Sequence, residues 1–198
     1  MTATGRGPRR ILGITGAPGV GKTTYALASV AASEAPAAYV PMDGFHLADV
    51  SLSALGRLTR KGAPDTFDAW GYAALLRRLR EERDHVVWVP GFERDLEQPI
   101  AGALAVTPAT ELVVTEGNYL LLDEPGWREV REQLDEVVHL VTDDDVRRQR
   151  LVARHVEFGK APDEAEEWVA RVDDANAELV EAVANRADRV VELPVSRR

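Results

Sequence analysis

ILGITGAPGVGKTT, residues 11–24, joins a short apolar segment to a glycine-rich turn. Gly16 to Thr23 fit the pattern G-x-x-x-x-G-K-[ST], whose backbone N–H groups surround a polyphosphate together with the first turn of the following helix. In this pattern Lys22 contacts the β- and γ-phosphates, and the Thr23 hydroxyl binds magnesium. An ordinary glycine-rich turn is the alternative, but the motif requires a strand before it and a helix after it, and the sequence predicts both. We therefore expect a nucleotide site formed by Gly16, Ala17, Pro18, Gly19, Val20, Gly21, Lys22, Thr23 and Thr24.

Apolar runs and helical patterns alternate on the C-terminal side of this motif. Strands are expected at about 11–15, 37–41, 85–89, 111–115, 137–141 and 189–193. Helices are expected at about 22–34, 47–56, 69–83, 127–134, 143–157 and 163–184, with loops at 57–66 and 91–98. Such alternation is typical of an α/β fold, a parallel sheet with helices on both faces. We predict about five strands in that sheet.

Composition narrows the classes of protein and partner. The 198 residues fit one domain, taken as 10–198 after a flexible tail at 1–9. The absence of cysteine excludes disulfides and thiolate metal sites, and the net charge of −9 argues against nucleic acid or an anionic membrane as partner. No apolar run approaches the length of a membrane helix. We expect a cytoplasmic protein with a small-molecule substrate, and a homodimer is left open.

Two acidic residues follow predicted strands, at the points where those strands end. Asp43 comes just after the strand at 37–41, and Glu116 ends the run of residues 112–115. The carboxyl ends of parallel strands form one crevice, so both side chains are expected near the nucleotide. A carboxylate at Asp43 can accept the proton of an attacking hydroxyl, although an Asp-Gly pair is also a common turn. Glu116 can hold magnesium through water, orient an acceptor, or simply cap a turn.

Arginines recur on one predicted helix near the end of the chain. Arg147, Arg150 and Arg154 are spaced to share one face of the helix at 143–157. A row of cations there can neutralise charge that develops on a transferred phosphoryl group. Solvent exposure or pairing with the aspartates at 143–145 is the alternative.

Four segments together resemble the phosphoribulokinase, uridine kinase and pantothenate kinase group of P-loop kinases. They are the phosphate-binding motif, Asp43-Gly44-Phe45, residues 60–68 (RKGAPDTFD) and the strand that ends in Glu116-Gly117-Asn118. The sequence is most similar to a small bacterial branch labelled nucleoside/nucleotide kinase or fructose transport system kinase. The resemblance extends from about residue 10 to residue 191. It implies a P-loop NTPase fold with a small helical lid, placed at about 143–163.

The resemblance also implies cofactors and roles. ATP and Mg²⁺ are the implied cofactors, and transfer of a phosphoryl group to an alcohol is the implied reaction. Asp43 is the implied general base, with Lys22 and Glu116 as further catalytic residues and Thr23 and Glu116 at the metal. The lid supplies Arg147 and Arg154, and Arg189 and its neighbours lie near the adenine through their backbone rather than their side chains.

The acceptor alcohol is less well defined by the sequence. Cations with aromatic residues suit a polar metabolite, and the residues expected to hold it are His46, Arg60, Lys61, Phe92, Arg94 and Tyr119. Residues 60–68 resemble the pantothenate kinase pattern, but the chain lacks that family's longer N-terminal helical region. Residues 91–95 do not reproduce the histidine-containing acceptor loop of uridine kinases. A sugar, a nucleoside and a pantothenate-like alcohol remain open.

Two other classes of protein share the nucleotide motif. A GTP-hydrolysing switch would explain Asn185-Arg186-Ala187-Asp188 as a guanine-reading motif, but this segment precedes a predicted strand instead of following one. The second alternative is a regulatory protein that binds or hydrolyses nucleotide without a small-molecule acceptor. The four residues Lys22, Thr23, Asp43 and Glu116 together argue against it.

Overall fold

Seven strands and seven helices form in the computed structural model, which describes residues 7–194. The strands are β1 Arg10–Gly16, β2 Ala37–Pro41, β3 Val87–Glu93, β4 Gln98–Val106, β5 Leu112–Glu116, β6 Glu136–Val141 and β7 Arg189–Glu192. The helices are α1 Lys22–Ala31, α2 Asp49–Ala54, α3 Ala69–Glu81, α4 Trp127–Glu132, α5 Asp144–Glu157, α6 Pro162–Trp168 and α7 Asp174–Glu181. No helix within residues 7–194 has the length and apolar character needed to span a bilayer.

The central sheet contains five parallel strands in the order β2-β5-β1-β6-β7, which confirms the predicted α/β fold. The register of β5 with its two neighbours brings three strand ends together. Glu116 at the end of β5 is opposite both Ile14 of β1 and Pro41 of β2. The carboxyl ends of three neighbouring strands therefore meet at one edge, beside the turn that starts at Gly16.

Two apolar clusters cover the two faces of this sheet. The larger one joins β1 and β5 to α3 and α4, and it includes the fully buried side chains of Ile11, Leu76 and Leu79. The smaller one packs α1 against the other face through Ala26, Ile14 and neighbours. Full burial of one such aliphatic side chain contributes about 1.5–3 kcal/mol. The sheet is therefore held firmly from both sides, and its carboxyl edge is a rigid base for a site.

A separate antiparallel hairpin, β3 with β4, is the main departure from the expected layout. The strand predicted at 85–89 does not join the parallel sheet, and half of the loop predicted at 91–98 is strand, with the turn of the hairpin at 94–97. β4 was not predicted because residues 98–106 contain Pro99, Gly102 and three alanines, which are all poor strand formers. Pairing with β3 decides the structure of this segment.

The helix predicted at 163–184 is divided into three parts. A single π-helical turn, Val169–Asp173, separates α6 from α7. On its C-terminal side two consecutive acids have different partners. Asp173 is 2.9 Å from His155 Nε2, and Asp174 accepts from Arg147 at 2.8 Å. Turns of this kind are frequent at functional sites, and the amino-acid composition of this segment does not predict one.

The prediction of a flexible tail at residues 1–9 is wrong at the C-terminal end of that segment. Arg9 is fully buried, and its guanidinium donates hydrogen bonds to the carbonyl oxygens of Leu79, Glu82, Thr107 and Thr110. A buried cation needs such partners, and four backbone carbonyls at the ends of neighbouring segments provide them. The rest of that prediction, residues 1–6, lies outside the described residues.

Candidate active site

Three glycines shape the turn between β1 and α1. Gly16, Gly19 and Gly21 all have positive φ, at 146°, 81° and 107°. A Cβ atom at Gly16 would lie 2.5 Å from the Leu140 carbonyl oxygen, and one at Gly19 would lie 2.8 Å from that of Arg147. Only glycine avoids both the backbone strain and the clash. The turn is therefore a backbone cradle, and its exposed N–H groups suit a polyphosphate.

Lys22, the first residue of α1, turns its side chain back into this cradle. Its ammonium group donates to the carbonyl oxygens of Gly16 and Ala17, both at 3.0 Å. Burial lowers its pKa to about 8, while Glu116 and Asp43 act in the opposite direction. The charged form therefore predominates at pH 7, and a cation lies where phosphate oxygens would bind.

Glu116 lies almost fully buried at the end of β5 and accepts two side-chain hydrogen bonds. Thr23 donates to its Oε1 at 3.1 Å and Tyr39 donates to the same oxygen at 2.7 Å. Burial and the nearby Asp43 carboxylate raise the pKa of Glu116. A hydroxyl and a carboxylate in contact are hard oxygen ligands, the kind that Mg²⁺ prefers beside nucleotide phosphates. Thr23 and Glu116 thus fit the predicted metal role.

Asp43 lies in a short turn just after β2, on the same side of the sheet. Its Oδ2 accepts from Arg94 at 2.8 Å, and its Oδ1 is 3.9 Å from Nε2 of His46. Burial acts to raise the pKa of Asp43, but His46, Arg94 and Lys22 outweigh it, so the pKa lies below its ordinary value. Burial lowers the pKa of His46 to about 4. At pH 7 the site therefore holds an ionised carboxylate beside a neutral imidazole.

A single cleft of about 580 Å³ joins these groups. Its floor is the phosphate-binding turn, one wall is the β3–β4 hairpin, and the other wall is α5 with the end of α6 and the π turn. Predicted residues that line it are Pro18, Gly19, Gly21, Lys22, Thr23, Thr24, Asp43, His46, Lys61, Phe92, Arg94, Glu116 and Arg154. Residues from six separate segments thus converge on one space large enough for a nucleotide and a small acceptor.

Comparison with known proteins agrees with this geometry. The sequence profile of the Phosphoribulokinase / Uridine kinase family matches residues 11–196. The chain belongs to this family. It is 33% identical over 190 residues to the uncharacterised protein YggC of Escherichia coli K12, covering 93% of this chain and 78% of that protein. It is 34% identical over 154 residues to the ATP-dependent kinase-like protein notR' of Aspergillus versicolor, covering 73% and 88%.

A solved structure extends the agreement to the whole fold. A candidate fructose transport system kinase from Silicibacter sp. TM1040 superposes with a TM-score of 0.86 at 37% identity, covering 96% of this chain and 93% of that one. The family consists of P-loop kinases, so ATP use and a small-molecule substrate follow from membership. The resemblance noted from the sequence is confirmed.

Contrary to the prediction from the sequence, the three arginines of α5 do not all face the cleft. Arg147 is buried with 3% of its side chain exposed, and it binds Asp174 at 2.8 Å and the Pro18 carbonyl oxygen at 3.3 Å. It does not line the cleft, so the structure places it behind the phosphate-binding turn. Arg150 and Arg154 do line the cleft. Helical spacing predicted that the three arginines share one face, but it could not identify Asp174 as a partner of Arg147, because Asp174 lies 27 residues further along the chain.

Three other predicted residues also lie away from the cleft. Arg60 pairs with Asp65 at the surface, and Arg189 of β7 pairs with Glu136 at 3.2 Å. Tyr119 is fully buried, and its hydroxyl donates to the Gly62 carbonyl oxygen. Tyr119 therefore supports the loop that carries Lys61 and is not itself exposed to a ligand. Three predicted residues of the phosphate-binding turn lie behind its exposed surface: Gly16, Ala17 and Val20.

Sequence reasoning missed several polar residues of the site. Tyr39 contacts Glu116 from the neighbouring strand, and the parallel register of β2 with β5 was the signal that could have indicated it. Asp49 pairs with Lys61 at 2.7 Å. Trp168 of α6 lines the far end of the cleft, with the Lys160 ammonium 4.8 Å from its ring centre. Nothing in the spacing of Asp49 or Trp168 connects them to the nucleotide motif.

Proposed function

We propose that this protein transfers the γ-phosphoryl group of ATP to a hydroxyl of a small metabolite, with Asp43 as general base. The observation that supports this most directly is the placement of Asp43. Its ionised carboxylate shares one cleft with Lys22, Thr23 and Glu116, and it accepts a hydrogen bond from Arg94 in the turn of the hairpin. A carboxylate in this place serves a transfer reaction, because phosphate binding itself gains nothing from a nearby negative charge.

Asp43 is suited to receive a proton from an alcohol. Arg94 occupies Oδ2, so Oδ1 is the oxygen that can accept the hydrogen of an attacking hydroxyl. The lowered pKa keeps Asp43 ionised, which makes it a modest base. A loose phosphoryl-transfer transition state needs little proton removal early, so orientation of the hydroxyl is the larger part of its role.

The nucleotide side would be held by the cradle residues. The amides of the glycine turn would bind the phosphates, and Lys22 would exchange its contacts with Gly16 and Ala17 for phosphate oxygens. Thr23 and Glu116 would hold Mg²⁺, which would neutralise negative charge on the phosphates. Arg154, whose guanidinium makes no hydrogen bond or ion pair within residues 7–194, is available for the transferred group. The segment at 143–163 then serves as the lid.

The acceptor would lie between the hairpin and the loop at 57–66. Phe92 and His46 offer ring faces there, 5.1 Å apart, and Lys61 and Arg94 are both within 6 Å of the Phe92 ring centre. A sugar, a nucleoside or a pantothenate-like alcohol could use these groups. A regulatory nucleotide-binding protein would have no need of this second half of the cleft.

The experiment is a screen of alcohols, sugars and nucleosides for ATP consumption above the rate without acceptor. Product formation is followed by mass, so that ADP release alone is not counted as transfer. The Lys22→Ala variant serves as the background control. If ATP hydrolysis remains the same with every compound and no phosphorylated product forms, the regulatory alternative replaces the kinase.

A further inference from the structure

The acceptor half of the cleft pairs each of its cations with a carboxylate. Lys61 donates to Asp49 at 2.7 Å and to the Glu97 carbonyl oxygen, and only 14% of its side chain is exposed. Arg94 donates to Asp43 at 2.8 Å. The two positive charges of this half are thus matched by two negative ones, and Glu97, which also lines the cleft, adds a further acid.

The phosphate half of the same cleft shows the opposite arrangement. Lys22 contacts only carbonyl oxygens, Arg150 reaches one carbonyl at 3.4 Å, and Arg154 has no polar partner among the described residues. Cations without anionic partners are what a polyphosphate requires. The phosphate half also holds the Glu116 carboxylate, but Glu116 hydrogen-bonds to Thr23 and Tyr39 and forms no ion pair with these cations. The two halves of the cleft therefore differ in the direct partners of their cations.

We propose that the acceptor is an uncharged alcohol, with neither a carboxylate nor a phosphate of its own; this rests on the proposed kinase function. An anionic group would enter a region that already holds the negative charges of Asp43 and Asp49. Arg94 and Lys61 keep further N–H groups, but the charge of each is already matched by a carboxylate, so an anionic acceptor would have to share that charge with Asp43 or Asp49. A neutral molecule meets no such competition, and uncharged polar side chains that line the cleft, such as Asn118, can hydrogen-bond to its hydroxyls.

Displacement of Asp43 from Arg94 would also harm the base. Burial alone acts to raise the pKa of Asp43, and Arg94 is one of the groups that offset this effect. A substrate that took Arg94 for itself would therefore favour the protonated carboxyl. His46 offers no replacement charge, because burial lowers its pKa to about 4. The surroundings of the base therefore also favour a neutral acceptor.

The test uses pairs of alcohols that differ by one carboxylate. Suitable pairs are glycerol with glycerate, panthenol with pantothenate, glucose with gluconate, and uridine with orotidine. For every pair that is turned over, kcat/KM should favour the neutral member by about tenfold or more, which is 1.4 kcal/mol of discrimination. Equal or better use of the carboxylate members overturns this inference while the kinase proposal stands. Transfer to no member of any pair overturns both.

A charge variant tests the cause of the preference. Asp49→Asn releases Lys61 from its partner, so kcat/KM for the carboxylate member should rise about tenfold relative to the neutral one, with an unchanged KM for ATP. Asp65→Asn is the matched control, since Asp65 pairs with Arg60 in the adjacent loop and does not line the cleft. An unchanged ratio in Asp49→Asn overturns the proposal. If that variant does not fold, Lys61→Met should shift the ratio the other way, and a shift toward carboxylates contradicts the proposal.

Discussion

The phosphate-binding turn and the β3–β4 hairpin face each other across one cleft, but they are built differently. The turn uses backbone groups of glycines, anchored between two buried elements of the parallel sheet. The hairpin uses side chains such as Phe92 and Arg94, carried on a two-stranded ribbon outside that sheet. Nucleotide binding therefore depends on backbone geometry that few substitutions can preserve. The proposed acceptor site instead uses side chains, which can change without disturbing the fold.

The largest effect is expected at Lys22. Lys22→Ala should lower phosphoryl transfer by more than about 10⁴-fold, because its charge stabilises the transferred group. The unfolding midpoint should fall by only a few degrees, since its two partners are backbone carbonyls at the edge of the cleft. Steady-state kinetics and thermal unfolding measure the two effects. Arg78→Ala, which removes a surface cation outside the cleft, is the control, and near-normal activity in Lys22→Ala would falsify the assignment of the turn.

Asp43→Asn should impair phosphoryl transfer while leaving nucleotide binding nearly unchanged. The amide keeps the size of the side chain but cannot accept the proton, so transfer should fall by about 10²–10⁴-fold. ATP affinity should change little, because Lys22, Thr23 and the loop amides provide that binding. Nucleotide titration and kcat measurement test both statements. Asp95→Asn at the exposed hairpin tip is the matched control, and transfer within a few-fold of wild type would leave Asp43 as a turn residue only.

Arg147 and Arg154 should give opposite results although they share one helix. Arg154→Ala should reduce kcat by about 10–10²-fold with normal stability, since its guanidinium faces the cleft without a partner. Arg147→Ala should destabilise the fold by about 2–4 kcal/mol, because it removes a buried partner of Asp174. Chemical denaturation and kinetics of both variants provide the comparison. A loss of kcat in Arg147→Ala at full stability would return this residue to the catalytic set.

The smallest effect concerns pH and His46. Its folded pKa of about 4 lies below the ordinary value of 6.5, so the unfolded chain binds the extra proton first as pH falls. Stability is therefore present above pH 6.5 and is lost as pH falls toward 4, by about 2 kcal/mol at pH 5. His46→Phe keeps the ring contacts with Phe67 and Phe92 and removes the titration. Equal losses for wild type and variant between pH 7.5 and pH 5 would show that His46 does not titrate this way.

The sequence predicted which residues meet in the phosphate half of the cleft, but it predicted those of the acceptor half only in part. A motif of fixed spacing predicted the roles of Lys22 and Thr23, and two acids after apolar strands predicted Asp43 and Glu116. These four residues lie in, or directly after, strands and helices whose hydrophobic pattern can be recognised in the local sequence. Their convergence follows from the rule that parallel strands end at one edge.

Contacts between distant segments explain what was missed. Arg147 was placed in the cleft because helical spacing cannot show a partner such as Asp174, which lies 27 residues further along the chain. Arg9 was placed in a tail because its four carbonyl partners come from α3 and the loop before β5. The hairpin was missed because β4 is specified by pairing with β3 and not by its own composition.

The π turn at Val169–Asp173 has a consequence for how this chain can vary. A π turn holds one residue more than the α-helical turn it replaces. Because the wider turn takes up this extra residue, removing one residue there would let α6 and α7 merge into one regular helix while both keep nearly the same orientation. Asp174 would then keep its direction toward Arg147. The π turn is thus the place between 162 and 181 where a change of length by one residue disturbs the flanking helices least, and natural variants that are one residue shorter should differ here rather than within α6 or α7.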